Sequence, residues 1–497
     1  MLRTQVEIRD KTESFIKELH HESYRNRAGL KEESRLSEVY TKYSELFTEE
    51  TLEVLKTDLT KSEGEEQKRL NFLYEWLVTA FQTEEIKELT DKILTSEARA
   101  VIQLPQEEEI PFRRAEVELA NERSRDRRAL IYQGQRKVIR ELNPLLEESW
   151  ERVYDQAGKL GFSSYKDQFQ KLSGIDLRAL NDQMQKFLSE TEELYVDVLS
   201  WTLQKKMGLK LREARRPDLS YLFRAHEYDS FFPRGWMLTL LRRWGDALGV
   251  DITAEGRISF DTEPRRSKSP RAFCATLEIP NQIVLVLRPR GGVEDYRAFL
   301  HELGHSLHFG YTGPEEPFEF RWLGDSSVTE AHAFTLEHMV LNPFWLKRYL
   351  DMGKETQNFL QFLHLKYLYF LRRYAAKLAY ELFLHEGGPL SGKKDAYREL
   401  LTDACKVEYE TDHYLYEVDP YFYSARYLRA WIFEAQFHRF LLENFNEDWF
   451  RNPHAGEFLR GIWNYGQRYT VEELAQKIGM GEISLDGILA RLDEHLG

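Results

Sequence analysis

Apolar residues recur at helical spacing along almost the whole 497-residue chain, and one stretch alone reads as strand. Leu70, Phe72, Leu73, Trp76, Leu77 and Phe81 show the dominant period. It runs through residues 5–104 and returns over 112–141, 144–159 and 176–207. PQEEEIP (105–111) breaks it, and RRPDL (215–219) reads as a turn. Across residues 257–292 it gives way to GRISFDTEP, AFCATLEIP and NQIVLVLRP, three β-type runs punctuated by proline. A hairpin near Pro280 and Asn281 would join the last two. From 294 onward helices resume, interrupted by HEGGPLSGKK, with a capping box at Thr470 and Glu473 near the C-terminus. The expectation is a mostly α fold carrying one small sheet.

The helix after that sheet contains HELGHSLHFG, residues 301–310. His301 and His305 stand one turn apart on one helix face, where two imidazoles can share a zinc ion. Glu302 then lies beside the metal-bound water as general base. HExxH alone is a weak signal, so its surroundings matter. Leu300, Leu303 and Leu307 give the helix an apolar stripe, and Gly304 allows another element to approach closely. Hydrolytic zinc needs a third protein ligand and an open fourth position. SVTEAHAFTLEHM supplies Glu330, twenty-five residues after His305. The HExxHxxGxxH pattern fails because His308 and Tyr311 occupy its glycine and third-histidine places. Glu319, the nearest competing carboxylate, sits in the loop-like PEEPFEF. One Zn2+ held by His301, His305 and Glu330 is the expectation.

Net charge of -14 and a pI of about 5.6 argue against a nucleic-acid partner. Cys274 and Cys405 are the only cysteines and form no CxxC, so no disulfide framework is indicated. The first residues are charged throughout and do not read as a secretory signal. No apolar run approaches the ~18 residues of a membrane span. A cytoplasmic location is expected.

Several blocks, in one order, resemble the thimet oligopeptidase and oligoendopeptidase F family of zinc peptidases. RAFCATLEIPNQIVLVL is similar to that family's strand pair, VEDYRAFLHELGHSLH to its zinc helix, and VTEAHAFTLEHM to its third-ligand segment. NPHAGEFLRGIWNYGQRYTVEELAQKIG is similar to its C-terminal helices. The resemblance spans roughly residues 160–490. It implies a two-lobed, mostly helical metallopeptidase with a deep central channel that admits short peptides. Residues 1–150 would form an N-terminal helical region contributing to the channel wall. Residues 151–497 would form the catalytic region, with its sheet at 257–292 and its zinc helices at 294–341. The resemblance also implies tyrosines that stabilise the oxyanion; Tyr423 and Tyr427 in YFYSARYLRAW fall at two such positions, at i, i+4. Ala430, Phe422 and Val418 depart from the family's tyrosine, glycine and histidine.

Some residues carry two readings. Glu337, two turns after Glu330 on the same face, is either an acceptor orienting a ligand histidine or a solvated carboxylate. His308 either contacts substrate or the third-ligand helix, or has no site role. Tyr423 and Tyr427 are either oxyanion donors or packing residues. His332 and His338 point away from the Glu330 face. The leading function is zinc-dependent endopeptidase cleavage of short peptides. The alternatives are a carboxypeptidase-like exopeptidase, disfavoured by Thr329 standing where that family typically has a histidine, and a weakly catalytic zinc-containing peptide binder.

Overall fold

A computed structural model of the chain describes residues 4–497. Helices dominate, with a two-stranded ladder and a three-stranded sheet besides. Local rules set many helix ends. α1 (Gln5–Arg27) opens on a reciprocal capping box between Thr4 and Glu7, and buries Ile8, Phe15 and Ile16. The segment expected to be helical over residues 5–104 divides into five helices and ends in β1 (Val101–Gln103), which pairs with β2 (Glu109–Pro111) around PQEEEIP. Three-residue strands are too short to show a period, so the sequence reading found the break without its ladder. The helix expected over 112–141 instead stops at Asn121 and restarts as α2 (Arg125–Lys159), capped by Ser124. It then runs straight through Pro144. Buried Ile139 and Leu142 before the proline, and Trp150 and Val153 after it, keep one continuous face. Packing along that face outweighs the ~3 kcal/mol that an interior proline costs.

Two compact units make up the described chain. One takes the N-terminal stretch through Phe81, His226–Leu360 and Arg429–Arg491; the other takes Gln82–Ala225, Gln361–Leu428 and Leu492–Gly497. The ladder and α2 belong to the second unit.

The first unit holds the sheet, β3 (Ile258–Asp261), β4 (Phe273–Glu278) and β5 (Gln282–Val286), in the order β3-β5-β4. β4 and β5 are the expected hairpin, antiparallel with Phe273 opposite Val286 and Thr276 opposite Ile283; β3 runs parallel to β5. Phe273, Ala275, Leu277, Val284 and Val286 form one apolar cluster with Ala28, just after α1. The period of two leaves Cys274 and Thr276 for the other face. β4 is an edge strand.

α3 (Val293–Gly310) follows the sheet, and α4 (Ser326–Glu337) packs against it. Gly292, at φ +90°, precedes α3; a Cβ there would stand 2.6 Å from Asp229 Oδ1. Leu300, Leu303 and Leu307 are buried as the stripe predicted. At Gly304 the two helices nearly touch: an added Cβ would lie 2.5 Å from Ala333 Cα and 2.6 Å from the His332 carbonyl oxygen. Gly304→Ala should therefore force α3 and α4 apart and cost about 1–3 kcal/mol, the range of an overpacked core. Urea denaturation of the variant measures this loss directly.

Candidate metal centre

The close approach at Gly304 brings α4 over the face of α3 that carries two histidines. The His301 and His305 rings lie 4.9 Å apart, nearly perpendicular. Glu330 Oε2 stands 3.4 Å from His301 Nε2 and 3.7 Å from His305 Nε2. Each residue offers one ligand atom, and the three atoms fall within 4.8 Å of one another. Tetrahedral ligands at ~2.0–2.1 Å from zinc sit about 3.3 Å from each other. The Glu330 oxygen is already near that spacing from both nitrogens, so the donor set fits a single ion.

The remaining ring nitrogens are anchored from behind. His301 Nδ1 donates to Glu337 Oε2 at 2.9 Å, and His305 Nδ1 lies 2.8 Å from Thr329 Oγ1. Since a carboxylate accepts only, Nδ1 keeps its proton, and Nε2 is the nitrogen that would face a metal once its own proton is displaced. Glu337 is held in turn by Arg297 Nη2, which donates to Oε1 at 2.6 Å, while Arg297 Nη1 donates to Glu294 at 3.2 Å. Burial works against ionising Glu337, but the Arg297 charge and the His301 hydrogen bond outweigh it and hold its pKa well below the usual carboxylate range. Burial also pulls the His301 imidazole down, yet Glu330 and Glu337 reverse the sign and hold it at about 10. His305, backed by a neutral hydroxyl, is driven by burial to about 4.

Glu302 lies between the two histidines in sequence and reaches the sheet. Its Oε2 accepts the Cys274 N–H of β4 at 2.8 Å. Ser306 ties the same place, donating to the Glu302 carbonyl at 2.8 Å and contacting Cys274 Sγ at 3.4 Å. Burial raises the Glu302 carboxyl to about 7 against the lowering pull of His301. That value suits proton transfer near neutrality. The same burial lifts the Cys274 thiol to about 12, which rules it out as a nucleophile.

The other predicted residues are placed as follows. His308 is buried, its Nε2 donating to the Gly466 carbonyl at 3.0 Å, and it packs on His332 with ring centres 4.7 Å apart. It is outside the donor set. Glu319 is fully buried between Arg9 at 2.5 Å and Arg69 at 3.0 Å, an ion-pair role. His338 Nδ1 contacts Glu434 at 2.7 Å. Tyr423 and Tyr427 belong to the other unit, on the first two turns of α5 (Tyr423–Phe445), with ring centres 4.9 Å apart. Phe422 adopts φ +46° after Tyr421 at +55°, so it keeps a left-handed backbone where the related pattern has glycine. It is buried against Phe169 and His385, with ring centres 5.1 and 5.0 Å away. Sequence reasoning missed Arg297, the anchoring role of Thr329 and the Cys274 amide. Arg297 had a usable signal, standing four residues before His301 on the same face.

No family model and no curated protein matches this chain by sequence. Its fold is mostly α-helical and is shared with solved peptidase structures. One solved structure that it resembles is PZ peptidase A with an inhibitor, at a TM-score of 0.71 and 17% identity, covering 99% of this chain and 91% of that one. Another is an oligoendopeptidase F, at a TM-score of 0.69 and 15% identity, covering 98% and 90%. At these identities the likeness is one of fold.

Thr329→Val removes the hydroxyl behind His305, and Glu337→Leu removes the carboxylate behind His301, neither touching a donor atom. Each should weaken metal binding about 10–100-fold. Competition against a chelator of known affinity reads the change.

Proposed function

We propose that this chain is a zinc-dependent peptidase that hydrolyses short peptides, with His301, His305 and Glu330 as ligands to one ion and Glu302 as general base. The observation that carries the reading is the convergence of three donor atoms within 4.8 Å beside a carboxylate raised to about 7. A bound zinc ion supplies Lewis acidity at the scissile carbonyl and makes water acidic enough to deprotonate near neutrality. Glu302 takes the proton of the attacking water and hands it to the leaving amine. The Cys274 amide fixes that carboxylate against β4, so its free oxygen keeps one orientation through both transfers. β4 is an edge strand, but its Cys274 N–H is taken by Glu302 and its Thr276 carbonyl lies 2.9 Å from His20 Nδ1, so it keeps few main-chain groups for an extended peptide. On the family resemblance alone, Tyr423 and Tyr427 are the phenols proposed to stabilise the developing oxyanion. Two free cysteines suit the reducing cytoplasm, where we place the protein. Among the described residues no helix is long and apolar enough to cross a membrane.

Chelation should abolish peptide cleavage and zinc should restore it. Glu302→Gln should keep the metal yet lower kcat about 10²–10⁴-fold, the usual worth of a general base. Retained full activity in that variant removes the assignment. Tyr427→Phe should lower kcat about 100-fold, the loss of one oxyanion donor. Glu302 must be ionised to act, so kcat/KM should fall as pH drops through its pKa. Without metal that pKa is about 7, and a bound cation lowers it. The acid limb measured on the loaded enzyme should therefore lie at or below about 7. Peptides blocked at both termini separate endopeptidase from carboxypeptidase action, since only the former cleaves them.

A further inference from the structure

One arginine holds the start of the helix that carries the third ligand. α4 begins at Asp325, whose Oδ1 caps it by accepting the Ser327 N–H at 3.0 Å. Arg429 opens the part of α5 that belongs to the first unit. Its Nη1 pairs with Asp325 Oδ2 at 2.9 Å and donates to Ser327 Oγ at 2.9 Å. The rest of the guanidinium is taken by Glu472, at the start of α6 (Val471–Lys477). There Nε donates to one carboxylate oxygen at 2.9 Å and Nη2 donates to the other. Arg429, Asp325 and Ser327 are all buried. One planar group therefore joins α4, α5 and α6 in the fixed geometry of its fork. Just ahead of the cap, a Cβ on Gly324 would stand 2.1 Å from the Gln467 carbonyl oxygen, so the chain entering α4 is wedged as well.

A buried ion pair is ordinarily a weak source of stability, because desolvation offsets most of its attraction. Apolar residues of similar size would pack α4 about as well. What directed charged hydrogen bonds add is register. Glu330 lies between two fixed points on α4. One is the Asp325–Ser327 start, held by Arg429; the other is the His332–Ala333 step, pressed on Gly304. The contact at Gly304 sets how near the helices come but, being a single point, leaves α4 able to roll and swing about it. A roll of about 20° moves a group at the ~5 Å side-chain radius by about 2 Å. Metal–ligand distances tolerate only ~0.2 Å. A second fixed point removes that freedom. His301 and His305 need no such device, since both belong to α3.

We infer that Arg429 is a positioning residue for the metal centre, acting through Asp325 and α4 to hold Glu330 within reach of an ion shared with the two histidines. The inference rests on the ligand set proposed above, and it gives Arg429 no contact with metal or substrate.

A double-mutant cycle on zinc affinity tests it, read by competition against a chelator of known affinity and needing no turnover. In the full-length protein Arg429→Met and Asp325→Asn should each weaken zinc binding about 10–100-fold, the range for a group that orients a ligand. Asp325→Asn keeps an oxygen to cap α4 and removes only the charge facing Arg429, so it decides the matter if Arg429→Met fails to fold. Glu330→Ala should itself weaken zinc binding. In that background the same two substitutions should change affinity by less than about twofold, because the residue through which they act is gone. Arg429→Lys should recover part of the loss, since an ammonium can pair with Asp325 but cannot serve Glu472 with the same fork. An equal loss in both backgrounds overturns the inference, for Arg429 would then support the fold as a whole. Parental affinity in Arg429→Met or in Asp325→Asn overturns it too. In either case a full effect of Glu330→Ala leaves the ligand set standing. Parental affinity in Glu330→Ala overturns the ligand set, and this inference with it. Coupling to Glu330 with no cleavage of any peptide sinks the peptidase reading and leaves Arg429 its role.

Discussion

The contact between α3 and α4 at Gly304 governs the candidate centre. With 2.5 Å between a would-be Cβ and Ala333 Cα, no other residue type permits this approach without movement. Because the helices meet there, Glu330 on one reaches both histidines on the other. His301 and His305 are neighbours by helical geometry alone. The third donor is a tertiary product, and it depends on that single missing side chain.

Charge balance follows from the same packing. Glu302, Glu330 and Glu337 crowd around His301, and burial raises the cost of every carboxylate there. Arg297 offsets one of them through Glu337, and the His301 proton offsets more. A divalent cation would take over that proton's electrostatic role. The two histidines differ in support: a carboxylate held by arginine stands behind His301, and a threonine hydroxyl stands behind His305. β4 completes the arrangement by fixing Glu302 through a main-chain amide, so the sheet serves the site despite its small size.

Sequence legibility tracks the range of the interaction. The HExxH helix, its apolar stripe, the β4–β5 hairpin and the Thr470–Glu473 capping box are set within a few residues, and each was readable. Gly304 was readable as a close-approach site because glycine inside a helix demands a reason. The β1–β2 ladder escaped notice because three residues cannot display alternation. α2 was divided at Pro144 because local propensity was trusted over a buried face that continues beyond it. Glu337 could be placed on the Glu330 face but not assigned a partner, since its contact to His301 spans thirty-six positions in sequence. Thr329 was noticed only for not being histidine, and the Cys274 amide carries no side-chain signature at all. The Phe422 departure from glycine proves compatible with a left-handed backbone, held by aromatic packing that no local rule foresees.

The account turns on a cation bound by two coils at once. The direct measurement is anomalous diffraction from crystals of the zinc-loaded protein, recorded on both sides of the zinc absorption edge. The account predicts one strong peak about 2.0–2.2 Å from His301 Nε2, His305 Nε2 and a Glu330 oxygen. A peak elsewhere, or a Glu330 carboxylate turned away from an occupied histidine pair, would contradict it.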